Sequence, residues 1–312
     1  MSPRRWSVLA LLGVLVLGEC AARVLHDSED VDFLFDWYFL DQQLLRSSLG
    51  PSRDSPAMRV NSLGFRGTWE PAPRGTAPRV LVTGAGESFA DNIQEGATWT
   101  DRLASLLTAP QDSGVELWNL SMHNSTVRFV EVGLLPRILE ASPDVLVLSH
   151  GGFNEALRGD IPERLVIRPE AWFFNAVFGF QLARSLWLGS ASALRSVRGG
   201  ERRHKVSVAE LEASYDLILT RARSAGIQVV LLKQVIIHPD IDDLWRVADM
   251  EAYRDAISRV AGRHGVPVVD PREFMRDPLE QFFDERQELY NSRTHRLIAE
   301  ALAPVVGELL GD

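Results

Sequence analysis

The chain has 312 residues, 46% of them apolar, and a formal charge of −9, which fits a globular protein with a substantial core and excludes a disordered one. No stretch concentrates Lys and Arg enough to track phosphates, so a nucleic-acid partner is excluded as well, and the run from Arg195 to Lys205 reads as a short solvated loop. Cys20 is the only cysteine, which leaves no intrachain disulfide and no thiolate metal cluster.

At the amino terminus, Arg4 and Arg5 precede an uncharged run from Trp6 to Gly18, followed by Glu19, Cys20, Ala21, Ala22 and Arg23. Residues 1–26 are therefore expected to be a signal peptide or a short membrane anchor, with the positive flank inside and the rest exported to the cell envelope. Cleavage after Ala22 and retention as an anchor are both compatible with these residues. A lipid anchor on Cys20 is disfavoured by Glu19, where a small residue is expected. Residues 27–78 form a juxtamembrane helix and linker. Phe33, Phe35, Trp37, Tyr38 and Phe39 suit a helix at the membrane surface or packed on the domain. Pro, Ser, Gly and Arg from Gly50 to Pro78 mark an extended connection, interrupted by Asn61-Ser-Leu-Gly-Phe-Arg-Gly67.

From residue 79 to 312, strand and helix patterns alternate. Strands are expected at 79–84, 115–119, 144–149, 227–235 and 266–270, and helices at about 98–107, 126–140, 208–225, 249–263 and 291–309. This order predicts an α/β domain, a parallel sheet with helices on both faces. Between the third and fourth strands, residues 157–206 are too many for an ordinary connection. With Trp172, Phe173, Phe174 and Trp187 they predict a helical cap: a lid over the ligand edge, an acyl-chain groove, a membrane-facing patch or a simple cover for the sheet.

Chemistry-bearing residues gather after the strand ends, where open α/β sheets bind ligands. Gly84-Ala-Gly-Glu-Ser88 turns sharply out of the first strand and exposes a serine. Asn119-Leu-Ser121 follows the second strand and His150-Gly-Gly-Phe-Asn-Glu155 the third. An acyl-transfer site needs a nucleophile, donors for the oxyanion, and a base held by a carboxylate. His123, His150 and His238 each follow a strand end and are candidate bases, His150 only if the strand pleat directs it inward. His295 would need the last helix to begin differently. Glu87 and Glu155 could relay protons if burial raised their pKa values. No metal site is expected, because the histidines lack ligand spacing, and no cofactor is expected.

These motifs resemble those of the SGNH (GDSL-like) hydrolases, particularly bacterial members with an amino-terminal membrane segment. Gly86-Glu-Ser-Phe89 looks like the first family block, with Glu87 where Asp is usual and Ser88 as the nucleophile. Asn119-Leu-Ser121 is similar to the second block, with Ser121 in place of glycine. Gly152-Phe-Asn-Glu155 resembles the third, with Asn154 as the oxyanion side chain. The resemblance implies a three-layer α/β/α, flavodoxin-like fold and an oxyanion hole made by the Ser88 N–H, the Ser121 N–H and the Asn154 amide.

The last block departs from the family. Its Asp-x-x-His should shortly precede the helix beginning near His295-Arg-Leu-Ile298. Counting back without a gap puts Arg286 and Leu289 in those places; two inserted residues put Asp284 and Gln287 there, with Asp284 as the acid. Neither supplies a histidine. Glutamine cannot take the serine proton, and leucine cannot even hydrogen-bond. Three readings follow. The chain is an exported ester hydrolase or acyltransferase acting on an acylated carbohydrate or lipid ester through a substitute base, a non-catalytic relative that binds a glycan, lipid or partner protein, or a structural envelope protein.

Overall fold

The computed structural model describes residues 59–311 apart from 60, 62–64, 68, 71, 91, 109–113, 123–124, 157, 160–202, 205, 236–243, 277–278 and 284–289. The expected membrane segment, the aromatic helix over 27–47 and nearly all of the cap at 157–206 lie outside these residues. Among the described residues, no helix is long and apolar enough to cross a membrane.

Five parallel strands form the sheet: β1 (Arg79–Gly84), β2 (Glu116–Asn119), β3 (Val145–Ser149), β6 (Gln228–Leu232) and β7 (Val268–Val269), in the order β2-β1-β3-β6-β7. Two short strands, β4 (Arg158–Gly159) and β5 (Arg203–His204), pair antiparallel at the two ends of the insertion. β1 and β3 are buried along their whole length, as parallel strands covered on both faces must be. Alternate residues of β1 divide between two cores: Leu81 joins Trp118, Leu134, Ile138, Tyr215 and Ile257 on one face, while Val80 and Val82 join Trp99, Leu103, Ile298 and Leu302 on the other.

The helices are α1 (Gly86–Phe89), α2 (Trp99–Thr108), α3, α4 (Phe153–Ala156), α5 (Val208–Ser224), α6 (Leu244–His264) and α7 (Ser292–Leu310). α3 is α-helical over Val127–Phe129, π-helical over Val130–Leu134 and α-helical again over Leu135–Ala141, where Pro136, which lacks an N–H, sits at the restart. Ser207 and Glu210 close a capping box on α5, and the Asn291 side chain caps α7. α2 and α7 pack together over the second face, α5 and α6 over the first.

Three expectations are corrected. The strand expected over 266–270 is two residues long, since Pro267 has no N–H to give a ladder. β6 accordingly ends at Leu232, although the bond from the Lys233 N–H to the Val269 carbonyl prolongs its contact with β7. α6 begins at Leu244 rather than 249.

Candidate active site

Ser88 sits in the single turn α1 at the carboxyl end of β1. The expected sharp turn is a single helical turn, with the Ser88 and Phe89 N–H groups donating to the Ala85 carbonyl at 3.1 and 2.9 Å, and it buries the serine rather than exposing it. Ala90 ends the turn in the left-handed conformation. Close approach explains Gly84. A Cβ there would lie 2.3 Å from Ser88 Oγ, 2.5 Å from Ser88 Cβ and 3.2 Å from Ser121 Oγ, so the two hydroxyls converge on the face that glycine leaves bare. Both side chains are buried, and neither hydroxyl has a hydrogen-bond partner among the described residues.

Asn119 ties these two segments together. Its side-chain nitrogen donates to the Ser88 carbonyl at 3.1 Å, and its oxygen accepts from the Ser121 N–H at 3.0 Å. The third expected donor, the Asn154 amide nitrogen, donates to the Ser125 carbonyl at 3.3 Å. Each of the three groups expected to face an oxyanion thus has an internal acceptor, although the Asn154 amide keeps a second hydrogen. Composition cannot reveal this. The signal was present only in Asn119, whose side chain can bond its own backbone two residues on.

Of the candidate bases, His150 is enclosed. Its Nδ1 lies 3.8 Å from Glu155 Oε1, and neither ring nitrogen hydrogen-bonds Ser88. Burial depresses its pKa to about 3, with the Ser125 carbonyl offsetting this in part, so the ring is neutral and a poor proton acceptor. His295, in the first turn of α7, accepts the Trp99 N–H on Nδ1 at 3.0 Å and has its Nε2 unpartnered. Its pKa also falls to about 3, from burial first and then from the Arg66 and Arg102 charges. His123, His238 and Asp284 lie outside the described residues, as do Arg286, Gln287 and Leu289.

The pKa of Glu155 is brought near neutrality. Burial raises it to about 7, against the opposing pull of backbone N–H donors. Its two oxygens accept from the Val127 and Gly152 N–H groups, both at 3.0 Å, joining the start of α3 to the turn that leads into α4 and Asn154. Through these bonds the carboxyl braces the two segments, and burial gives it the raised pKa expected of a proton relay.

The sequence reading missed Gln234. Its amide donates to Glu87 Oε2 at 3.2 Å and to the Ser149 carbonyl at 2.9 Å, linking the serine turn to the end of β3. The glutamine needs space: a Cβ on Gly152 would fall 1.7 Å from its Oε1. Beyond it, the Arg254 guanidinium bonds the Gln234 carbonyl and pairs with Asp270 at 2.6 and 2.7 Å. Burial works against ionisation of Asp270, but the Arg254 bonds outweigh it and hold the carboxyl below its ordinary range.

The GDSL-like Lipase/Acylhydrolase family profile matches residues 82–295. No curated protein matches the chain. Among solved structures, the chain is similar to an alpha/beta hydrolase enzyme from the metagenome of Lake Arreo, Spain, at 18% identity and a TM-score of 0.50, over 76% of this chain and 98% of that one. It is likewise similar to the lipase/acylhydrolase from Enterococcus faecalis, at 13% identity and a TM-score of 0.50, over 74% and 96%. At these identities the likeness is one of fold.

Proposed function

Since the chain belongs to the GDSL-like lipase/acylhydrolase family, whose profile matches residues 82–295, we propose that it performs acyl-ester chemistry at Ser88, as a slow ester hydrolase or acyltransferase. The observation that carries this reading is the convergence of two buried, unpartnered hydroxyls, Ser88 and Ser121, at the carboxyl edge of the sheet. Leaving a buried polar group unpaired costs about 1–3 kcal/mol, a cost that a polar ligand atom would relieve.

In this mechanism Ser88 Oγ attacks the ester carbonyl as its proton passes to a base. Collapse of the tetrahedral intermediate breaks the ester C–O bond and the base returns the proton to the leaving alcohol; water or an acceptor hydroxyl then takes the acyl group from Ser88. The tetrahedral oxyanion is held by the free hydrogen of the Asn154 amide, with the Ser88 and Ser121 N–H groups turning from their internal acceptors. His150 and His295 are unsuited as bases because burial keeps them neutral down to a pH of about 3. His123 and His238, which follow β2 and β6, take their place as candidates. A base imperfectly placed leaves the enzyme slow: a positioned general base contributes about 10²–10⁴-fold, and losing the histidine of a serine hydrolase costs on the order of 10⁶. The substrate class is an acylated envelope carbohydrate or lipid ester, consistent with the exported location proposed from residues 1–26.

A second reading, binding without turnover, is favoured by the internal acceptors of all three oxyanion donors. Fluorophosphonate labelling of the full chain separates the two. The hydrolase reading expects an adduct on Ser88 that Ser88→Ala loses, with turnover of p-nitrophenyl acetate falling alongside. Absence of any adduct under conditions that label an active serine esterase would leave the binding reading.

A further inference from the structure

The segment ahead of the sheet reaches the nucleophile turn through one side chain. Arg66 is buried, and its guanidinium donates to the Phe89 carbonyl at 3.0 Å and to the carbonyls of Ala90 and Ile93. Phe89 directly follows Ser88.

Those carbonyls need a donor. α1 is a single turn, and the carbonyls that end a helix find no partner within it. Ala90, which closes the turn, has a φ of 56°, a left-handed conformation that a residue with a Cβ keeps only where its surroundings hold it. Its N–H bonds back to the Gly86 carbonyl at 2.7 Å, and Arg66 fixes its other side through the carbonyl. A planar fork of five donors serves several carbonyls at once, which the single nitrogen of a lysine cannot match.

Arg66 is itself held on both sides. Asn61 Oδ1 accepts the Phe65 N–H at 3.0 Å, and the Asn61 N–H donates to the Phe65 carbonyl at 2.8 Å. Phe65 is buried, and Trp69 stacks on it at 5.9 Å and on Trp118 of β2 at 5.1 Å. The Trp69 indole N–H donates to the Arg66 carbonyl at 3.1 Å. Gly67 permits this approach: its φ is 117°, and a Cβ there would lie 2.9 Å from Trp69 Cδ1. The guanidinium therefore extends to α1 from a backbone pinned against the edge of the sheet.

We propose that Arg66 is a positioning residue for Ser88: it anchors the carboxyl end of α1, so that the Ser88 N–H can leave the Ala85 carbonyl for the oxyanion while Ser88 Oγ stays in place. This role rests on the ester-chemistry reading of Ser88. A misplacement of about 1 Å costs about 10²-fold in rate, so the loss of this anchor is large enough to measure.

The test is fluorophosphonate labelling of Ser88 in the full chain over a range of probe concentrations, which separates the inactivation rate constant from the affinity for the probe. In Arg66→Ala the rate constant should fall at least tenfold with probe affinity within twofold, at a temperature where circular dichroism shows the variant folded. Methylguanidinium should restore part of that rate, and methylammonium should not. Arg66→Lys keeps the charge and should still label at least threefold more slowly than wild type; it carries the comparison if Arg66→Ala does not fold. Arg59→Ala, which removes an exposed ion pair with Glu95 from the same segment, should label like wild type. Folded Arg66 variants that label at the wild-type rate, a loss confined to probe affinity, or a loss that methylguanidinium does not relieve would each overturn this role alone. A wild-type chain that takes no label would overturn the ester-chemistry reading, and this role with it.

Discussion

The Ser121 N–H donates to the Asn119 side-chain oxygen at 3.0 Å, while the nitrogen of the same Asn119 amide holds the Ser88 carbonyl at 3.1 Å. One asparagine therefore fixes the spacing between nucleophile and second oxyanion donor, and also withholds that donor from the hole. Ester chemistry at Ser88 requires the bond to Ser121 to open when substrate enters. Asn119→Ala frees the donor but releases both segments; fluorophosphonate labelling of Ser88 is expected to fall at least tenfold, with a loss of about 1–3 kcal/mol in denaturant unfolding from the buried groups left unpaired.

Ser121 crowds the site through a hydroxyl with no partner. Ser121→Gly removes it while keeping the backbone donor, so Ser88 labelling should rise several-fold. Stability should change little, because losing an unsatisfied buried hydroxyl offsets the extra freedom that glycine gives the unfolded chain. Labelling rates and urea midpoints measured side by side check both halves.

Gly84→Ala places a methyl 2.3 Å from Ser88 Oγ and 2.5 Å from Ser88 Cβ. Ser88 Oγ can rotate away, but Ser88 Cβ cannot retreat without moving α1. Overpacking of this kind costs about 1–3 kcal/mol, and the variant should lose Ser88 labelling even at temperatures where circular dichroism shows it folded.

The missing base can be supplied. Arg286→Asp with Leu289→His restores the family spacing ahead of α7 and should raise p-nitrophenyl acetate turnover at least a hundredfold over wild type, with a new apparent pKa near 7 in the rate profile. A pair of substitutions that folds and leaves the rate unaltered would mean that this segment does not reach Ser88.

Stability should peak between about pH 6 and 7. His150 and His295 bind protons in the fold only near pH 3, whereas the unfolded chain binds them near 6.5, so each removes up to about 1.4 kcal/mol per pH unit as the pH falls through that window. Glu155 acts in the opposite sense. Its folded pKa of about 7 lies above the unfolded 4.5, so its stabilising contribution is complete below 4.5 and lost as the pH rises to 7. Two histidines outweigh one glutamate up to about pH 6.5. His295→Asn, which keeps an acceptor for the Trp99 N–H, should flatten the acid limb by about one proton in pH-dependent urea unfolding. Glu155→Gln should gain on wild type between pH 4.5 and 7.

How much of this was legible beforehand follows from the range of each interaction. Uninterrupted apolar runs such as Val80-Leu-Val82 and Val145-Leu-Val-Leu148 have the pattern of doubly covered parallel strands, and Gly226 and Gly265 past the helices mark their stops. These are local signals, and they place Ser88, Ser121 and Asn154 at the same edge of the sheet. The absence of a histidine ahead of α7 is equally local, a matter of residue identity alone.

Tertiary structure alone decided what those residues do once assembled. Whether His150 is a base depends on its burial, and the neighbours that meet it, Tyr215 of α5 and Ser125, come from other parts of the chain. Burial, not sequence position, sets its pKa. Gln234 reaches Glu87 across 147 residues, and His295 accepts the Trp99 N–H across 196. Hydrogen bonds of that separation have no period or spacing to betray them, because they arise only when the sheet brings its strand ends together. The sequence by itself determined the fold, the family and the placing of the serine; desolvation and long-range pairing determined which polar groups at that edge remain free to act.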